Sequence, residues 1–118
     1  MIRGALRGAL ATVVMTGVYA LRPQLPLPPQ LVGDRGPRKL GLEPPVPWWA
    51  THLAIGMTLG AAAEGLGVRR RVAYGLAVWA ASYGTTLPAL GIYPRLDRDD
   101  RARAAAGVAA HAVFGAVL

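Results

Sequence analysis

The chain has 118 residues, 53% of them apolar and 16% charged, with a formal charge of +7 and a mean hydropathy of +0.35. Soluble domains average roughly 25% charged residues, so the composition points to a lipid-embedded protein. The lack of cysteine excludes disulfides, thiolate metal sites and a cysteine nucleophile. Arginines set between apolar runs, without interleaved aromatics, leave nucleic acid out as an expected partner.

The first apolar run, Gly8 to Leu21, follows Arg3 and Arg7 and precedes Arg22. It is shorter than the roughly 17 to 25 residues of a bilayer span. Outward snorkelling of Arg7 lets a helix over 4–21 reach sufficient length. A secretory signal is the competing reading, with Val18-Tyr19-Ala20 as its small-residue cleavage site; a retained helix is expected. Residues 22–47 carry Pro23, Pro26, Pro28, Pro29, Pro37, Pro44, Pro45 and Pro47. Proline removes a donor and clashes with a preceding helical turn, so this stretch reads as an extended or turning loop.

The second helix is expected over 48–68, closed by Arg69-Arg70-Arg71, and the third over 72–93, with Pro88 loosening its last turn. The fourth is expected over 101–118, with Asp99 and Asp100 as N-cap candidates. The fold class that follows is all-α: four transmembrane helices in a small bundle, one domain over 1–118, with the Pro-rich loop between helices 1 and 2. Alternate spanning puts Tyr19, Trp48, Trp49 and Tyr93 on one face as an interfacial belt. The Lys/Arg count is five on the N-terminal side and eight on the other, and it leaves orientation open.

His52, Gly56, Gly60 and Glu64 recur every four residues along one stripe of helix 2. Gly56-xxx-Gly60 is a small-residue surface that lets another helix approach, and helix 4 repeats the pattern as Gly107, His111 and Gly115. A carboxylate within a membrane helix must be paired, protonated or wet; Glu64 sits close enough to the Arg triplet for an interfacial position. His111 needs a hydrogen-bond partner or a metal. Ser82, Tyr83, Thr85 and Thr86 form a polar patch ahead of Pro88, able to satisfy freed carbonyls or to line a path. His52 and His111 differ in depth by about 9 Å when counted along their helices, an awkward offset for bis-histidine haem ligation. No phosphate loop, Ser-His-Asp set or metal-ligand cluster is present in the sequence.

Pro26-Leu27-Pro28-Pro29, Thr51-His52, Glu64, Leu87-Pro88-Ala89-Leu90-Gly91 and Ala110-His111-Ala112-Val113-Phe114-Gly115, in that order, resemble the YagU-type family of small bacterial inner-membrane proteins and related four-helix membrane proteins. The resemblance implies a multi-pass protein of the bacterial inner membrane with its N-terminus cytoplasmic. It carries no biochemical activity. The expected function is a non-enzymatic accessory or structural subunit of a larger membrane assembly, without cofactor or metal. Its expected partners are the lipid bilayer and other membrane subunits or further copies of itself. The alternatives are a proton-linked transporter or channel using Glu64 and His111, and a haem- or pigment-binding subunit.

Overall fold

Residues 1–20, 35–36, 38–39, 41 and 47–118 are described by the structure, a computed structural model. Most of the Pro-rich loop therefore lies outside the described residues. Helix α1 covers Ile2–Ala20 and buries Gly4, Gly8, Ala11, Thr12, Met15 and Tyr19 at the three- and four-residue steps of one helical face. Pro47, in extended conformation, precedes α2 over Trp48–Gly65, where its fixed φ and missing amide are harmless. Gly67 ends α2 in the left-handed region at φ 61°. Its amide donates to the Glu64 carbonyl and that of Val68 to the Ala63 carbonyl, each at 3.0 Å, the paired bonds of a glycine-terminated helix.

Helix α3 covers Arg71–Ala81 and runs into a π-helical turn, Ser82–Thr86, then a last turn, Leu87–Ala89. Three hydroxyls tie the wide turn to the preceding helix. Ser82 donates to the Val78 carbonyl at 2.6 Å, and Thr85 and Thr86 donate to that of Ala81 at 2.6 and 2.7 Å. Helix α4 covers Arg101–Val117, and the Asp100 carboxylate caps it by accepting from the Arg103 amide at 3.0 Å.

The helices lie side by side in the order α2, α1, α4, α3. Glycine makes the two outer seams close. Gly4 and Gly8 of α1 meet Gly60 and Gly56 of α2, and a Cβ at any of the four would overlap the facing chain. Gly75 of α3 meets the His111 carbonyl and Gly115 in the same way. Between these seams Ala11, Met15, Tyr19, Ala63, Ala110, Phe114 and Leu118 form the core. The radius of gyration, 13.6 Å, agrees with the value of about 13.5 Å for a compact chain of this length.

No helix among the described residues is long and apolar enough to cross a membrane. This corrects the expectation of four transmembrane helices. The α-helical part of α3 has 11 residues, and its continuation to Ala89 passes through the π-helical turn and Pro88, behind an opening Arg71. Helix α4 has 17 residues and opens on Arg101 and Arg103. Helix α1 has Arg3 and Arg7 in its first two turns, and α2 includes Thr51, His52, Thr58 and Glu64 among its 18 residues. The third helix does not continue to 93, because Pro88 follows the wide turn and Gly91, at φ 67°, reverses the chain. The aromatic belt dissolves as well. Tyr19 and Tyr93 point inward at 3% and 6% exposure, whereas Trp48 is half-buried and Trp49 exposed.

Candidate functional site

Helices α2 and α3 are joined by a short turn yet barely touch along their lengths. A bond from the Tyr74 hydroxyl to the Leu59 carbonyl, 2.9 Å long, bridges them. The separation opens a groove of about 350 Å³, with α1 and α4 as its floor and α2 and the π-helical turn as its rims. Helix α2 contributes His52, Ile55 and Leu59, α4 contributes His111 and Phe114, and the turn contributes Ser82, Tyr83 and Thr86.

Both histidines predicted from the sequence thus face one space, together with most of the polar patch. Both are held neutral. Burial and, secondarily, the nearness of His111 lower the His52 pKa to about 4. Burial also lowers that of His111, partly offset by its bond to Gly107. The His111 Nδ1 lies 2.8 Å from the Gly107 carbonyl, which only accepts, so Nδ1 carries the proton and Nε2 presents a lone pair. The Nε2 of His52 is buried without a hydrogen-bond partner among the described residues.

Behind His111, the Tyr83 ring stands edge-on at 5.4 Å, and Tyr93 stands edge-on to Tyr83 at 5.0 Å. The Arg103 guanidinium lies 5.5 Å over Tyr93 and pairs with Asp99. Burial raises the pKa of both tyrosines, so their hydroxyls stay protonated. This relay of rings runs from the groove to the cap of α4 and fixes the wall against which His111 sits.

Glu64 is elsewhere. Its carboxylate accepts from the Gly4 amide at 2.7 Å and pairs with the Met1 ammonium at 2.7 Å. These two bonds hold its pKa below the ordinary carboxylate value. It caps α1 from across the α1–α2 seam, where the amide dipoles favour an anion. With Arg7 and Arg71 it lines a separate cleft, so the structure does not bring Glu64 and His111 together. Thr85 also turns away from the groove, toward Arg95 and Asp97. Gly56, Gly60, Gly107 and Gly115 all face neighbours within the chain; Gly107 meets Trp79 and Tyr19.

A second surface escaped the residue-by-residue reading. On the outer side of α1, Ile2, Leu6, Leu10 and Val13 are 57–80% exposed and fall on one face. The signal was available, because their spacing of three and four residues complements that of the buried glycines. Comparison with protein-family models, curated proteins and solved structures finds no match to the chain.

Proposed function

We propose that the protein is a non-enzymatic accessory subunit that packs into a larger protein assembly through the outer face of α1. The observation that carries this reading is the stripe Ile2, Leu6, Leu10 and Val13. Contiguous exposed apolar surface of this kind marks interaction sites. The glycine faces are already occupied by the chain's own helices, so the stripe, rather than Gly56/Gly60 or Gly107/Gly115, meets the partner.

A non-enzymatic role accords with the groove's chemistry. The Ser82 and Thr86 hydroxyls are bonded to their own backbone rather than to an imidazole, and no carboxylate is among its described lining residues. Nucleophile–base pairs require a group poised to take a proton from a reactive partner. The separation of Glu64 from His111 also speaks against proton transfer between them.

Native mass of the tagged chain isolated from its host tests the assignment. Wild type is expected in an assembly heavier than the monomer, and the double variant L10E/V13E as the monomer with unchanged helical content. Burial of such a side chain contributes about 1.5–3 kcal/mol, so partner recovery should fall at least tenfold. Recovery of wild type only as a monomer contradicts the reading.

A further inference from the structure

We infer that the groove between α2 and α3 is a binding site for a small uncharged molecule, mainly apolar and carrying one hydroxyl, such as a phenol or an aliphatic alcohol. The volume of about 350 Å³ lies at the small end of ligand pockets, which run from about 300 to 1,000 Å³. That size suits a single ring or short chain better than a tetrapyrrole. The walls are largely aliphatic and aromatic, with Met15, Leu59, Val78 and Phe114 presenting no polar group.

The polar groups of the groove narrow the choice further. The Thr12, Ser82 and Thr86 hydroxyls donate to the carbonyls of Gly8, Val78 and Ala81. The Nε2 atoms of His52 and His111 have no such bond among the described residues. On His111 this atom is a lone pair, which calls for a donor. A hydroxyl donates its one proton to that lone pair, and its oxygen can still accept from the His52 ring in the tautomer whose Nε2 carries hydrogen. No described lining residue carries a charge at neutral pH, so an ionised ligand would be desolvated without compensation. A pure hydrocarbon would fill the space but leave the imidazoles unpaired.

The probes are p-cresol and toluene, which differ by the hydroxyl alone, titrated into the full chain. Saturable binding of both is expected, with p-cresol about three- to tenfold tighter, as one net hydrogen bond gives. The 15N resonance of His111 Nε2 should move on saturation with p-cresol and stay in place with toluene. In His111→Phe the preference for p-cresol should shrink or be lost, with toluene binding serving as the control for an intact groove. If that variant does not fold, the wild-type affinity ratio and the Nε2 resonance decide the matter. Equal affinities in wild type, an unmoved Nε2 resonance, or the absence of saturable binding by either probe would overturn the inference.

Discussion

At the residue scale, the groove histidines give the molecule a definite acid response. The folded pKa of His52 is lowered to about 4 from an ordinary value of 6.5. Between those values the unfolded chain takes up a proton that the folded chain refuses, so stability falls as pH is lowered. It is unaffected by this group above about 6.5, and the full loss is reached below about 4. The loss should amount to about 1–3 kcal/mol, the smaller figure allowing for the partly exposed ring. His111 adds to the slope in the same sense. Urea unfolding at pH 7, 5.5 and 4.5 checks this: His52→Phe should flatten the dependence but not abolish it, and an unchanged slope would contradict the account. The residues themselves were legible in the sequence as candidates. What they face was not, because the groove exists only where α2 and α3 part.

Elements are set by their glycines. Along α1, Gly4 and Gly8 meet the backbone of α2, whereas Gly17 on the same helix has open space around its missing side chain. These positions should respond oppositely to alanine. Gly8→Ala forces two backbones apart, and overpacking of this sort typically costs about 1–3 kcal/mol. Gly17→Ala should stabilise by about 0.5–1 kcal/mol, since alanine restricts the unfolded chain and favours helix. Thermal unfolding of the two variants measures both signs, and destabilisation by Gly17→Ala would show that α1 is misplaced. Gly56-xxx-Gly60 announced a close seam in the sequence, but its partner did not announce itself. Gly4-xxx-Gly8 carries the same spacing beside Arg3 and Arg7, and those charges drew the reading toward a membrane flank. The π-helical turn was foreshadowed by Ser82, Thr85, Thr86 and Pro88. Within that turn Tyr83 packs edge-on against Tyr93 and His111, and the contact with His111 joins residues far apart in sequence.

At the scale of the whole molecule, four helical segments were readable from the apolar runs and the Pro and Arg punctuation between them. The spanning architecture was not a sound consequence of them. Abundant Ala and Gly raise mean hydropathy, yet here they thin the seams, and the helices they form are too short or too polar to cross a bilayer. Tyr19 illustrates the same confusion. It reads as an interfacial aromatic, but it continues the Ala11–Met15 face into the core. The outer stripe of α1 is an apolar helix face that the fold leaves uncovered, and it carries the proposed role as a subunit.

The most direct test is the reactivity of a single thiol on that stripe. Because the chain has no cysteine, Leu10→Cys introduces a unique probe, and Leu66→Cys, 76% exposed in the turn after α2, supplies the reference. The account predicts that maleimide labels position 10 at least tenfold more slowly than position 66 in the native assembly, and at a similar rate once the isolated chain is unfolded. Equal labelling rates in the native assembly would contradict an interface on α1.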